Sequence, residues 1–199
     1  MIFVDETGTN LSMTRSYARS TKGKRATSLN PVSKGKLLTL IGAVSLQGMI
    51  ASMTVEGGTK KETFTTYLKD VLCPQLKPGN VVIMDNLSAH KSNEVKELIE
   101  SKGAKLLYLP RYSPDLSPIE LCWSKLKSYL KKKSAGNQDM LQQYIKEALE
   151  LITIDNIKAF YSHCGYIWFF NGKCYRIFLS VVNNFPKRHS DLSRIKLIK

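Results

Sequence analysis

Three carboxylates, Asp5, Asp85 and Glu120, stand where solubility alone does not explain them. Asp85 closes the apolar run Val81-Val82-Ile83-Met84. An acid at the end of a buried strand is costly unless it is paired or bound to metal. The crevice beyond the carboxyl ends of strands is also where open α/β sheets place their sites. Asp5 closes a similar run, Ile2-Phe3-Val4, and Glu120 follows Ser117-Pro118-Ile119. The chemistry open to such a set is metal binding, with Asp85 and Glu120 holding ions and Asp5 completing the site. Each acid also has an ordinary explanation. Ser117-x-x-Glu120 is a capping box, which needs no catalysis. An acid after a strand commonly caps the turn that follows.

The elements that must position these groups can be read from periodicity. Pro78-Gly79-Asn80 is a turn, and residues 81–84 are too short and too apolar for anything but a buried strand. Residues 88–92 read as a loop. Residues 93–102 predict a helix with Val95, Leu98 and Ile99 on one face, stopped by Gly103, and residues 104–109 a further strand. Pro110, Pro114 and Pro118 then stiffen the chain. Ser117 suits the helix cap and Pro118 the first helical position, so Glu120 falls in the first turn. Ile119, Trp123, Leu126 and Leu130 form that helix's apolar stripe.

Upstream, residues 2–6 predict a strand. Alternation sends Asp5 and Glu6 to opposite faces, so only one can share a site with Asp85. Asp5 is assigned to it, and Glu6 to the rim or to a structural role. Residues 36–46 and 49–55 predict a hairpin turning at Gln47-Gly48, and residues 61–76 a single helix carrying Phe64, Tyr67, Leu68, Val71 and Leu72. Residues 138–150 and 154–161 predict two more helices. Three strands followed by alternating helices and strands indicate a mixed α/β sheet with helices packed on it.

Composition narrows the partner. The 199 residues hold 30 Lys and Arg against 16 Asp and Glu, a net charge of +14, and the excess is steeper after residue 120. That points to a polyanion, nucleic acid before membrane. Arg15, Arg19, Lys22, Lys24 and Arg25 lie in the polar segment 7–33, Arg111 in the proline-stiffened loop, and Lys125, Lys127, Lys131, Lys132 and Lys133 on the helix after Glu120. Either they track a phosphate backbone or they are a solvated surface. His90 either bonds within its loop or contacts substrate. Cys73, Cys122, Cys164 and Cys174 form no C-x-x-C pair, and His163-Cys164 has no neighbours suited to zinc. Cys73 and Cys122 read as core thiols. Without a secretory signal or an apolar run long enough to span a bilayer, the expected compartment is the cytoplasm. Residues 167–199 show no clean period and are expected to form an appendage, partly disordered.

Phe3-Val4-Asp5-Glu6-Thr7-Gly8, Met84-Asp85-Asn86 through His90, and Leu109-Pro110-x-Tyr112-Ser113-Pro114-x-Leu116-x-Pro118-Ile119-Glu120-x-x-Trp123 together resemble the catalytic domain of mariner-type DDE transposases, in particular the bacterial insertion-sequence branch. The resemblance spans residues 1–166. It implies a ribonuclease H-like, retroviral-integrase-like fold, a five-stranded mixed sheet flanked by helices. It implies that Asp5, Asp85 and Glu120 are the catalytic, metal-binding acids, holding two Mg²⁺ ions for which Mn²⁺ can substitute. The implied reaction is DNA strand cleavage and transfer at insertion-sequence ends, on double-stranded DNA, by a homodimer associated with the bacterial nucleoid. Members carry a helix-turn-helix region ahead of this domain, so the expectation is a separately encoded DNA-binding half, with residues 167–199 as read-through. The alternatives are a DNA-binding remnant without catalysis and, more remotely, a cellular ribonuclease H-like nuclease.

Overall fold

Five apolar segments pair edge to edge as β1 (Ile2–Thr9), β2 (Leu38–Ser45), β3 (Gly48–Glu56), β4 (Val81–Met84) and β5 (Lys105–Tyr108). The computed structural model describes residues 1–166 apart from 16, 28–32 and 88–89. Across the sheet the order is β3-β2-β1-β4-β5. β1, β2 and β3 are antiparallel neighbours, and β4 and β5 add in parallel beyond β1. The sheet is therefore mixed and five-stranded, as expected. The helices are α1 (Lys61–Tyr67), α2 (Asn93–Glu100), α3 (Pro118–Lys133), α4 (Gln138–Glu150) and α5 (Ile154–His163).

The period-2 alternation of the strands divides the core in two. Phe3, Leu38, Leu40, Val44 and Ile83 pack with α3, α4 and α5 on the front. Ile2, Val4, Ile41, Ala43, Val82 and Met84 pack with α1 and α2 on the back. A strand covered on both faces is mostly apolar, and β2 is buried along its whole length; its two polar residues are hydrogen-bonded, Thr39 donating to the Gly57 carbonyl and Ser45 accepting from the Gln47 N–H. Each fully buried Leu, Ile or Phe contributes about 1.5–3 kcal/mol, so both faces are needed to hold the central strands. Cys73, Cys122 and Cys164 are buried. Ile157, Tyr161, Cys164 and Tyr166 carry the front cluster to the end of the described chain.

Several details differ from the sequence reading. β1 runs on to Thr9, because Thr7 and Thr9 are buried and pair with Leu40 and Leu38. The hairpin closes one residue earlier: Ser45 pairs with Gly48, leaving Leu46 and Gln47 as the loop. Gly48 takes φ 131°, which a side chain would disfavour. The helix predicted over 61–76 is three pieces. α1 ends at Tyr67, a π-helical turn covers Leu68–Leu72, and a 3₁₀ turn covers Cys73–Gln75. Pro74 has no N–H to continue an α-helical ladder, so the last turn tightens.

The capping box predicted at Ser117 is also absent. Ser117 occupies the cap position of α3 and Pro118 its first turn, but the Ser117 side chain accepts no capping bond. Caps do form elsewhere. Ser92 accepts from the Val95 N–H, Asn137 from Met140, and Thr153 with Asn156 makes a complete capping box on α5. The Glu120 N–H donates to the Ser117 carbonyl at 3.1 Å, and the Ser117 N–H, which a capping box would give to the Glu120 carboxylate, donates to the Pro114 carbonyl at 3.0 Å, so that carboxylate is uncommitted to the cap. Residues 167–199, and Ser88 and Ala89 of the predicted loop, lie outside the described residues.

Candidate active site

β1 and β4 are parallel neighbours whose last paired residues are Val4 and Met84. Asp5 and Asp85 are the next residue of each, so the pairing brings the two acids side by side. The chain leaves β5 through Leu109, whose N–H donates to the Met84 carbonyl at 2.8 Å. The proline-stiffened loop then turns back into α3. Its first turn brings Glu120 to the same place. Asp5, Asp85 and Glu120 line one open cavity of about 460 Å³, together with Asn86, Arg111, Tyr112 and Ser113.

Each strand acid has a dedicated donor. The Trp123 indole N–H donates to Asp5 Oδ2 at 3.0 Å. Trp123 follows Glu120 by about one turn of α3, so one helix supplies both a carboxylate and the anchor of another. Gly42 pairs with Asp5 across β1 and β2. A Cβ on Gly42 would lie 2.6 Å from the indole ring, so the missing side chain is the seat for Trp123. Asp85 Oδ1 accepts from the Leu87 N–H at 3.3 Å and from His90 Nδ1 at 2.6 Å. Glu120 is exposed, with no side-chain partner among the described residues.

The electrostatics follow from this crowding. Burial pushes the Asp5 carboxyl up to about 7, and the negative charges of Glu120 and Asp85 add to it; the Glu6 backbone N–H and the Trp123 indole act against the rise. Burial alone would lower the His90 imidazole. Its hydrogen bonds to Asp85 and Glu6, and their charges, outweigh burial and hold it up at about 9. At neutral pH His90 is thus an imidazolium that donates from both nitrogens, the second to Glu6 Oε1 at 3.4 Å. A cavity whose deepest carboxylate is destabilised by two others is suited to a cation. Its donors are all oxygens, the set a hard divalent ion prefers. Among the described residues no three His, Cys, Asp or Glu side chains gather around a single point. Asp5, Asp85 and Glu120 do line the one cavity. That arrangement accords with an ion such as Mg²⁺, which takes one or two protein carboxylates and fills its remaining positions with water and phosphate.

The predicted DNA contacts separate into groups. Arg111 lines the carboxylate cavity and is exposed. Arg15, Arg19, Lys22, Lys24 and Arg25 are exposed and make no ion pair among the described residues, but none of them lines that cavity. Lys127 and Lys131 follow Glu120 by about two and three turns of α3, on its side of the helix, and Lys131 and Lys132 are exposed. Three of the residues are engaged within the protein. His90 is 1% exposed and cannot meet a duplex in this conformation. Lys125 is spent inside the protein, donating to the Leu151 carbonyl and to Asn156 Oδ1, where it ties α3 to the start of α5. Lys133 lies over the rings of Tyr129 and Tyr144 and within 3.9 Å of Glu147.

Sequence reasoning placed Trp123 in an apolar stripe and missed its second role. The available signal was chemical: a buried Trp needs a partner for its N–H. A glycine inside a strand, as at Gly42, marks a close approach. Tyr112 was read only as part of a motif. It stands at the cavity rim with φ 58°, 99% exposed. That backbone region is unusual for a bulky residue and here lies between Pro110 and Pro114.

A family model described as DDE superfamily endonuclease matches residues 1–142, and the chain belongs to that family. Its fold is the ribonuclease H-like fold of mariner transposase catalytic domains. The Mos1 transposase paired-end complex with left transposon end superposes with a TM-score of 0.67 at 16% identity, over 80% of this chain and 50% of that one. The Mos1 mariner paired end complex with Mg gives 0.67 at 17%, over 82% and 53%. The catalytic domain of Mos1 mariner transposase gives 0.56 at 14%, over 83% and 78%. The chain thus spans about half the length of the transposases in the paired-end complexes. Comparison with curated proteins gives no match. Among the described residues, no helix is long and apolar enough to cross a membrane.

Proposed function

We propose that this chain is the catalytic domain of a mariner-type transposase that cleaves and joins DNA strands at the ends of a bacterial insertion sequence. One observation carries the reading. Three acids from segments far apart in sequence line one open cavity where the pairing of β1 with β4 ends. Asp5, Asp85 and Glu120 are the acids that would hold two Mg²⁺ ions. When bound, such ions lower the pKa of water and stabilise charge on the attacking and leaving oxygens of a phosphodiester. The chain's own residues do the rest. Trp123 and His90 fix the carboxylates of Asp5 and Asp85. Arg111 meets a phosphate at the rim, and Tyr112 offers its exposed ring to a base. Attack is by water in cleavage and by a DNA 3′-hydroxyl in joining, so no covalent protein–DNA intermediate forms.

Residues 1–166 make up this domain, and double-stranded DNA is its substrate at both transposon ends and target. Synapsis of two ends calls for a homodimer, and end recognition for a helix-turn-helix module. The experiment is nicking of supercoiled plasmid by the purified chain in Mn²⁺, beside Asp85→Asn and beside EDTA. Nicking that vanishes in both controls supports the reading. Equal nicking by wild type and Asp85→Asn contradicts the site. A folded chain that binds DNA without nicking it in any metal favours a DNA-binding remnant.

A further inference from the structure

His90 is buried for a purpose that the three-acid site does not explain. Its ring is gripped on every side. Nδ1 donates to Asp85 Oδ1 at 2.6 Å, and Nε2 to Glu6 Oε1 at 3.4 Å. Phe64 stacks on its face with centroids 4.2 Å apart. The Tyr108 hydroxyl donates to the His90 carbonyl at 2.7 Å. These partners belong to the back layer: Phe64 lies in the rear core cluster, with Tyr108 packed against it. Asp85, by contrast, opens on the front cavity. His90 therefore reaches around the end of β4 and holds a front-facing carboxylate from behind.

Asp85 has particular need of this. It lies one residue past the last paired residue of β4, where the sheet no longer fixes it. A carboxylate with one oxygen committed presents the other in a fixed direction. Among the described residues Asp85 Oδ2 has no protein partner, so it is the oxygen left to face the cavity. Glu6 completes the device. It follows Asp5 on β1 and points the other way. One dipeptide thus supplies a carboxylate to the front and, from the back, the anchor of the histidine that orients Asp85.

We infer that His90, fixed by Glu6, is a positioning residue that sets the orientation of Asp85 for metal binding. This rests on the metal-site reading above and adds a layer to it. Outer partners of metal ligands typically change affinity 10- to 100-fold when removed.

The test is Mn²⁺ binding to the full chain without DNA, followed by the electron paramagnetic resonance signal of free Mn²⁺, with thermal melts alongside. In His90→Asn the amide nitrogen takes the place of Nδ1 and keeps the bond to Asp85. In His90→Gln it takes the place of Nε2 and keeps the bond to Glu6. The expected result is near wild-type affinity for His90→Asn and a loss of about tenfold or more for His90→Gln, at similar melting temperatures. A purely structural role would affect the two alike. Equal affinities in the two variants, or wild-type affinity in His90→Gln, overturn the inference. If His90→Gln does not fold, Glu6→Ala serves: it leaves the ring but frees its far edge, and is expected to weaken Mn²⁺ binding several-fold, whereas unchanged binding overturns the inference. If wild type and Asp85→Asn bind Mn²⁺ equally, the metal-site reading itself fails and takes this inference with it.

Discussion

The two strand acids and the helix acid of the cavity are held in different ways. Asp5 is gripped by the Trp123 indole and Asp85 by His90, each through a single oxygen. Glu120 is exposed on the first turn of α3 and has no such anchor. The strand pair is pre-set by the sheet and its donors, while the third acid keeps the freedom of a longer side chain. Under the proposed function, a site that must follow phosphates through cleavage and joining would gain from that combination: two acids would fix the frame, and one would adjust to the position of the substrate.

This contrast is open to tests of decreasing severity. The largest effect is expected from geometry alone. Asp85→Glu drives a longer side chain against the buried His90 and should reduce plasmid nicking by at least ~10²-fold, by analogy with the cost of misplacing a reacting group. Glu120→Asp shortens the unanchored acid and should keep measurable nicking, with a loss of about tenfold. Equal losses in the two variants would erase the distinction between held and adjustable ligands.

Next comes stability. With no metal present, Asp5 is protonated in the folded chain up to about 7, against an ordinary value of 3.8. Its folded value is raised, so the stability it contributes is complete below about pH 4 and is lost as pH rises to about 7. Asp5→Asn keeps an oxygen for the indole and removes that loss. In EDTA the variant should be more stable than wild type at pH 8, by up to ~3 kcal/mol, and no more stable at pH 4, as read by denaturant melts. His90 runs the same way over a higher window. Its stabilisation is complete below its ordinary 6.5 and is lost as pH rises through about 9. A stability gap between Asp5→Asn and wild type that does not widen from pH 4 to pH 8 in EDTA would contradict the Asp5 assignment.

The seat of Trp123 gives a smaller effect. Gly42→Val places carbon against the indole, and overpacking of this kind costs about 1–3 kcal/mol. It should also loosen Asp5, so the melting temperature and Mn²⁺ affinity fall together. Trp123→Phe should lower Mn²⁺ affinity about tenfold with the ring's packing largely retained. The smallest effect belongs to the outer face of α3. Lys131→Ala should reduce the salt slope of DNA binding by about one, uniformly across sequences. Lys125→Ala should instead lower stability, because Lys125 ties α3 to Leu151 and Asn156.

Much of this was legible in the sequence, for a physical reason. Short apolar runs ending in acid, at Val4-Asp5 and Met84-Asp85, mark two strands whose parallel pairing stops just before the acids, although β1 itself runs on to Thr9 beside β2. The prolines at 110, 114 and 118 mark a loop with little freedom, so the return of Glu120 could be foreseen. Side-chain commitments were harder to see, because they are settled between elements rather than within them. Ser117-x-x-Glu120 has the spacing of a capping box, yet the capping bond is absent. His90 stays open between a bond within its loop and a contact to substrate or a metal-bound water until Phe64, Tyr108 and Glu6 are brought around it. Lys125 has the look of a phosphate contact until α5 supplies Asn156. The break of the predicted 61–76 helix into three forms had one visible cause, Pro74, and its π-helical turn had none.

The most direct measurement is anomalous diffraction at the manganese edge from crystals of the chain soaked in Mn²⁺. The account predicts peaks at carboxylate coordination distance, roughly 2.0–2.3 Å, from Asp5 and Asp85, with Glu120 swung toward the cavity. Manganese bound elsewhere, with Asp5 and Asp85 still held by Trp123 and His90 and free of metal, would contradict it.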